Sequence, residues 1–422
     1  MNIAMFTNTY LPHVGGVARS VATFAEDLRS AGHRVRVIAP TFAEMAEETD
    51  PDIVRVPAIQ NFNGSDFSVR LPLPGTISKA ITDFAPDIIH SHHPFLLGDT
   101  ALRTARSLDL PLVFTHHTLY EDYTHYVPFD SGAFKRFVIS LATEYANLCH
   151  RVIAPSAGVK RLLAARGVQS AVDVLPTGID LEFFRMGNGV RFRREHGLPD
   201  NQPVIGHVGR LAREKNLPFL AEAVARALKK NREACFLVAG SGDAEEEMQE
   251  IFARMHLGRR VFMVGSLTGT RLADCYAAID LFAFSSCSET QGLVLAEAMA
   301  ASTPVVALSA TGVNDVLQDG LTGWILAPDT SAAEFGDALA AALADRARLA
   351  TWSSNASTAA QALSRQKSAA RLIEIYKRTI SGAPHKTAID MLDSAVLAIK
   401  AEWELLQQKT VAALNSFAED EE

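Results

Sequence analysis

Two carboxylates eight positions apart, Glu289 and Glu297, and two cations five apart, Arg210 and Lys215, are the residues of this chain best suited to chemistry. Glu289 lies in the polar run Ser285-Ser-Cys-Ser-Glu-Thr-Gln-Gly292, after the apolar Ile279–Phe284 and before an Ala-rich stretch that reaches Thr303-Pro304. That order reads as strand, loop and helix, with Glu297 inside the helix. A helix beginning near Gln291 turns its free N–H groups and positive end back toward the loop, which favours an anion there. The acids can accept hydrogen bonds from sugar hydroxyls. Phosphate on the helix end and hydroxyls on the carboxylates together describe a nucleotide-sugar. Arg210 and Lys215 follow the strand-like Val204–Val208 and Gly209. A departing nucleoside diphosphate gathers negative charge, so fixed cations stabilise its transition state more than its ground state. A guanidinium fork and a compact ammonium both suit a pyrophosphate. Plainer readings are a solvated helix-start glutamate with scattered surface cations, or an acid pair for glycoside hydrolysis. A diphosphate clamp has no role in the latter.

The elements that must hold these residues alternate. Ile3–Phe6, Arg34–Ala39, Ile53–Val56, Asp87–His90, Leu112–Thr115, Val152–Ala154 and Ala171–Leu175 read as strands in the first half. Val204–Val208, Cys235–Ala239, Arg260–Val264, Leu281–Phe284, Pro304–Ala307 and Gly323–Leu326 form a second set. Amphipathic stretches such as Val17–Ala31, stopped by Gly32, lie between them. Strand–helix alternation predicts doubly wound parallel sheets, which bind ligands beyond the carboxyl ends of their strands. Pro176-Thr-Gly-Ile-Asp180 is turn-like, and the Gly-, Arg- and Asn-rich stretch after it reads as a crossing between domains.

Several more loops fall at predicted strand ends. Gly15 and Gly16 precede a helix, where they allow close backbone approach to a ligand or simply form a tight turn. Ile89-His-Ser-His-His-Pro94 and Phe114-Thr-His-His-Thr118 each close an apolar strand, and His125 lies further on. His-x-His and His-His spacings are ligand-like, but no carboxylate or cysteine cluster accompanies them, and core histidines are the plainer reading. Leu119-Tyr-Glu-Asp-Tyr-Thr-His-Tyr-Val-Pro128 is aromatic and polar for a loop.

With these motifs in place, the chain resembles the retaining glycosyltransferases of family 4, whose E-x7-E signature Glu289 and Glu297 match. Around His116-His117-Thr118 and the loop after it, it resembles bacterial diacylglycerol glucosyltransferases. The resemblance runs from Met1 to about Thr379 and implies an α/β architecture of the GT-B type: two doubly wound, Rossmann-like parallel-sheet domains facing across a cleft. Residues 1–180 would form an acceptor-binding domain, 181–202 the crossing, and 203–355 a nucleotide-sugar domain. Residues 356–384 would return to the first domain as a helix, and 385–422 would add a helix without counterpart. The same resemblance assigns roles. Arg210 and Lys215 hold the diphosphate, Glu289 the transferred sugar and Glu297 the ribose. Gly15, Gly16, Gly265, Leu267, Gln291, Gly292 and Leu293 line the donor. His117 sits beside the anomeric carbon, and His92, His93, Tyr120, Tyr123 and His125 lie on the acceptor side. The implied reaction is transfer of a hexose, glucose from UDP-glucose, to a membrane lipid such as diacylglycerol by front-face attack, with domain closure excluding water. Mannosyl or other hexosyl transfer from a GDP- or UDP-sugar to a phosphatidylinositol-type lipid or a saccharide is the alternative within transferases. A nucleotide-sugar epimerase and a catalytically silent sugar- or nucleotide-binding protein are alternatives of other classes. No cofactor and no metal are expected, the nucleotide-sugar being a substrate.

Composition sets the outer bounds. The 422 residues are 48% hydrophobic and 21% charged, with a formal net charge of −8. That charge gives a nucleic-acid partner no support. Four well-separated cysteines read as reduced thiols. Met1-Asn-Ile-Ala-Met-Phe6 lacks a basic n-region and reads as strand rather than signal peptide, and no run approaches a membrane span. Against the acidic whole, segment 131–170 carries Lys135, Arg136, Arg151, Lys160, Arg161 and Arg166 with only Glu144 opposed, interleaved with Phe134, Phe137, Val138 and Leu141. A basic amphipathic face of this kind suits peripheral docking on an anionic bilayer, though a solvated helix exterior is the plainer reading. The expected station is the cytoplasm, at the inner face of the cell membrane. Thr387–Phe417 reads as a helix with Ile389, Leu392, Val396, Ile399, Trp403, Leu406 and Val411 on a packing or partner face.

Overall fold

In a computed structural model the chain is described at all residues except 14, 43, 44, 46, 60–68, 71–75, 123–130, 200, 287, 384–403 and 412–422. It divides into two compact units, Met1–Thr177 with Arg365–Glu422, and Gly178–Ser364.

The first unit holds a seven-stranded parallel sheet. Its strands run in the spatial order Ile53–Val56, Arg34–Pro40, Asn2–Phe6, Ile88–Ser91, Leu112–Thr115, Arg151–Ala154 and Val172–Val174. The second unit holds a six-stranded parallel sheet in the order Val261–Met263, Cys235–Ala239, Val204–Val208, Leu281–Phe284, Val305–Leu308 and Gly323–Leu326. Each strand expected from the sequence is there within a residue or two. The reason is burial on both faces: Val204–Val208, Cys235–Ala239 and Leu281–Phe284 are buried at every position, so they carry apolar runs, broken only by buried His207 in the first. A small antiparallel pair, Ala58–Ile59 with Val69–Arg70, has no such pattern and was not expected.

In each sheet the chain starts near the middle, winds to one edge, then returns and winds to the other. The reversal falls between Asn2–Phe6 and Ile88–Ser91 in one unit, and between Val204–Val208 and Leu281–Phe284 in the other. Loops leaving the carboxyl ends of two such strands diverge to opposite faces and leave a crevice, the usual ligand position in doubly wound folds. The histidine loops and the Arg210–Lys215 and Glu289 loops leave from those ends.

Three expectations differ from the structure. Residues 181–202 do not form an open crossing. Asp180 and Asn188 cap two short helices, Leu181–Arg185 and Gly189–Glu195, through bonds from the Phe183 and Arg191 N–H groups at 3.0 and 2.9 Å. These helices bury Phe184 and Phe192 in the core of the second unit. The helix expected over 356–384 is two: Arg346–Ala360 in the second unit and Arg365–Gly382 in the first, joined through a 3-10 turn at Gln361–Leu363. Arg365 bonds Asp27 at 2.9 Å and Glu26 at 2.6 Å, and Leu372, Ile375 and Tyr376 enter the core of the first unit. In the tail, helix 404–411 docks on the first unit through buried Leu405 and Gln408, with Lys409 on Asp99 and Glu404 on Arg106. Leu406 and Val411, expected on a packing or partner face, are exposed and so do not pack on the first unit; Ile389, Leu392, Val396, Ile399 and Trp403 lie outside the described residues.

Candidate active site

In the second unit the two motifs meet. Lys215 Nζ donates to Glu289 Oε1 at 2.5 Å, with both side chains mostly buried. The lysine ends a 3-10 turn, Arg213–Lys215, whose left-handed Asn216 starts helix Leu217–Lys230. Ser285 Oγ donates to the Lys215 and Asn216 carbonyls at 3.1 and 3.0 Å, which ties the end of the neighbouring strand to that turn. Arg210 pairs with Glu214, four residues on, and keeps nearly half of its side chain exposed. An ammonium held by a carboxylate and a half-exposed guanidinium five positions earlier are a suitable pair for a diphosphate.

Helix Leu293–Ala300 starts two residues later than expected, because Gly292 takes a left-handed conformation (φ 73°, ψ 49°) as its cap. Gln291 and Gly292 are buried and Leu293 half-buried at this helix end. Glu297 is 1% exposed, and Tyr276 Oη donates to its Oε2 at 2.8 Å. Beside the first strand, Gly209 N–H bonds the Ala239 carbonyl and Gly240 N–H bonds the Gly265 carbonyl. A Cβ on Gly240 would lie 1.8 Å from the Gly209 oxygen, so three strand ends can converge only through glycine. Leu267 is half-buried against the core.

Some contributors were not singled out from the sequence. His207 is buried and donates from Nδ1–H to the Ala283 carbonyl at 3.2 Å, and burial lowers its pKa to about 4. Glu214 sits at i+4 from Arg210, a spacing that could have flagged it. Tyr276 and Gly312 carry no sequence signal. Gly312 N–H donates to the Glu289 carbonyl at 2.8 Å, and a Cβ there would lie 2.6 Å from Gln291 N and 2.7 Å from Thr290 C. Gly312→Ala is expected to cost ~1–3 kcal/mol, the range for overpacking. It should also raise KM for the donor, because the clash is with the loop that carries Glu289. An unchanged melting temperature and KM would refute that account.

The first unit gathers five histidines, His90, His92, His93, His116 and His117, at the carboxyl ends of the neighbouring strands Ile88–Ser91 and Leu112–Thr115. His93 Nδ1 accepts from the Asn8 N–H at 3.1 Å, and Asn8 in turn bonds Phe95 O and Leu97 N–H. His90 is held by Tyr376 Oη at 2.6 Å and Thr115 Oγ1 at 2.7 Å. His92 Nδ1 and half-buried His117 Nε2 are 2.9 Å apart. Burial lowers His90 and His93 to about 3 and His116 to about 4, and places His92 and His117 well below the ordinary imidazole value. Among the described residues no group of three or more His, Cys, Asp or Glu is arranged to hold a metal. Tyr120 is packed between Phe95 and His116 instead of standing on an open loop. Tyr123 and His125 lie outside the described residues. Gly15 is the extended cap of helix Gly16–Ser30, and a Cβ on Gly16 would meet nothing within 4 Å, so that glycine is not required by packing.

Two Rossmann-like units, one bearing a lysine–carboxylate pair at its sheet reversal, define a GT-B glycosyltransferase. Residues 14–183 match the family model described as Glycosyltransferase Family 4, and residues 190–359 the model described as Glycosyl transferases group 1. The alpha-monoglucosyldiacylglycerol synthase of Streptococcus pneumoniae is 32% identical over 333 residues, 76% of this chain and 74% of that protein. The GDP-mannose-dependent alpha-mannosyltransferase of Mycolicibacterium smegmatis is 30% identical over 353 residues, 82% of this chain and 90% of that one. Anabaena HepE, solved in complex with UDP and glucose, shares the fold with a TM-score of 0.70 at 21% identity, covering 90% of this chain and 100% of its own. The chain belongs to glycosyltransferase family 4.

Proposed function

We propose that this enzyme transfers glucose from UDP-glucose to diacylglycerol at an anionic membrane surface, with retention at the anomeric carbon. The observation that carries this reading is the similarity to alpha-monoglucosyldiacylglycerol synthase, which spans both halves of the chain. The acceptor hydroxyl attacks on the face from which UDP leaves. The C1–O bond to phosphate breaks as the new glycosidic bond forms, and a departing phosphate oxygen takes the hydroxyl proton. Arg210 and Lys215 stabilise the leaving diphosphate, Glu289 and His117 orient the sugar, and Glu297 binds the ribose. Gly15, Gly16, Gly265, Leu267, Gln291, Gly292 and Leu293 contribute close-approaching backbone to the donor. His92, His93 and Tyr120 belong to the acceptor side. The reaction as written uses no cofactor, since the nucleotide-sugar supplies both the sugar and the leaving group.

The membrane part of the reading rests on fewer charges than segment 131–170 offered. Arg151 is held by Asp173 and Arg166 by Glu121, while Lys160 and Arg161 are exposed on helix Ala157–Ala165, and Lys135 is exposed on helix Gly132–Asn147, which also carries half-buried Phe134 and Phe137. Each basic group near an anionic surface contributes ~1 kcal/mol, so a few suffice for reversible, salt-sensitive attachment. Among the described residues no helix is long and apolar enough to cross a membrane. A second reading, mannosyl transfer from GDP-mannose, draws on the mannosyltransferase relative.

Thermal melts with UDP-glucose and GDP-mannose separate the two, because a ligand that binds only the folded state stabilises it by ~2.7 kcal/mol at a hundred times its Kd. UDP-glucose is expected to raise the melting temperature and to yield glucosyldiacylglycerol with phosphatidylglycerol vesicles containing dioleoylglycerol. Stabilisation by GDP-mannose alone, with a mannosylated product, would replace the first reading with the second.

A further inference from the structure

His92 and His117 face each other through one nitrogen apiece, 2.9 Å apart, at the ends of neighbouring strands. Their rings stack with centroids 5.2 Å apart, and His90 closes the other side of His92 at 4.1 Å. His90 is itself fixed by Tyr376 and Thr115, so the stack has a rigid floor. Burial keeps His92 and His117 neutral at ordinary pH. A neutral imidazole carries one hydrogen, so the contact admits two arrangements.

In one, His92 Nδ1–H donates to His117 Nε2, and His92 Nε2 is left as a bare acceptor. In the other, His117 Nε2–H donates to His92 Nδ1, and His92 must carry its own hydrogen on Nε2. His92 is fully buried, and among the described residues its Nε2 meets no hydrogen-bond partner. A buried donor without a partner is rarer and costs more than an under-used acceptor. The first arrangement therefore wins. We infer that His92 is a positioning residue that fixes His117 in the Nδ1–H tautomer, leaving the Nδ1 edge of His117 a hydrogen-bond donor. The value of that donor to catalysis rests on the sugar-orienting role proposed above for His117, whereas the tautomer itself does not.

The test is a long-range proton–nitrogen correlation spectrum of the ligand-free full chain, with His117 identified by loss of its signals in His117→Gln. The expected spectrum shows His117 protonated on Nδ1. Protonation on Nε2 overturns the inference with no variant of His92 needed. His92→Leu removes the donor and should move His117 toward the other tautomer. It should also lower kcat with UDP-glucose and dioleoylglycerol vesicles on the order of 10–100-fold, the scale of losing the partner that orients a working imidazole. His92→Asn, whose amide can donate from nearly the position of Nδ1, should restore both. A His117 tautomer unchanged in folded His92→Leu would reduce His92 to packing and overturn the inference. The expected tautomers with kcat unaffected would uphold the positioning and refute the sugar-orienting role of His117.

Discussion

Lys215→Ala is expected to lower kcat at least ~100-fold, the loss seen when one preorganised electrostatic group is removed from a reacting site. Two effects act together. In the role proposed for Lys215, the diphosphate loses a fixed positive charge where its own negative charge grows. Glu289, held by Lys215 at 2.5 Å and mostly buried, is left as a carboxylate without its ammonium, at the place proposed for the sugar. A double-mutant cycle separates them. If the two side chains act as one device, Lys215→Ala and Glu289→Gln together should cost less than the sum of each alone, with a coupling of ~0.5–3 kcal/mol. Lys215→Arg should not rescue, because the Ser285 bonds to the Lys215 and Asn216 carbonyls fix the turn around a compact ammonium, and a planar fork needs different partners. Arg210→Ala should be milder, since that guanidinium is nearly half exposed and already shared with Glu214. Wild-type turnover in folded Lys215→Ala would remove the diphosphate assignment.

The sequence revealed this pair because each partner lies on a motif of its own, although 74 positions separate them. The parallel strands were legible for a related reason. A strand covered on both faces is mostly apolar, and the polar loop after it marks its carboxyl end. What stayed hidden depends on contacts that composition does not encode. Tyr276 looks like any helical tyrosine until Glu297 is found against its hydroxyl. Gly312 looks like an ordinary loop glycine until the backbone of Thr290 and Gln291 is found where its Cβ would be. Residues 181–202 read as linker because glycine, asparagine and arginine dominate them, yet Asp180 and Asn188 cap helices whose phenylalanines complete a core. The offset in the tail helix has the same origin. Its docked face is fixed by Lys409 on Asp99, Glu404 on Arg106 and Gln408 on the Leu141 carbonyl, none of which an apolar stripe can report.

Mild acid should unfold the first unit before the second. His90, His92, His93, His116 and His117 are all held neutral there by burial, against His207 in the second unit. Their folded pKa values lie below the unfolded value of about 6.5, so the unfolded chain binds more protons as pH falls. The stability they contribute is complete above pH 6.5 and is lost on descending through about 4 to 3, where His116 and then His90 and His93 titrate in place. Each such imidazole removes ~2 kcal/mol between pH 7 and 5 by this linkage. The sum over five is an upper bound, since charging one neighbour in the unfolded chain hinders the next. Several kcal/mol is still a large share of the stability of a domain. Hydrogen exchange at pH 7, 6 and 5 should show protection falling steeply along Ile88–Ser91 and Leu112–Thr115, and less along Val204–Val208 and Leu281–Phe284. His90→Gln, which cannot take up a proton, should reduce the slope for the first unit by about one proton, whereas His207→Gln should leave that slope alone. Equal loss of protection in both sheets would mean that carboxylates spread over the whole chain, and not the imidazole cluster, govern the acid transition.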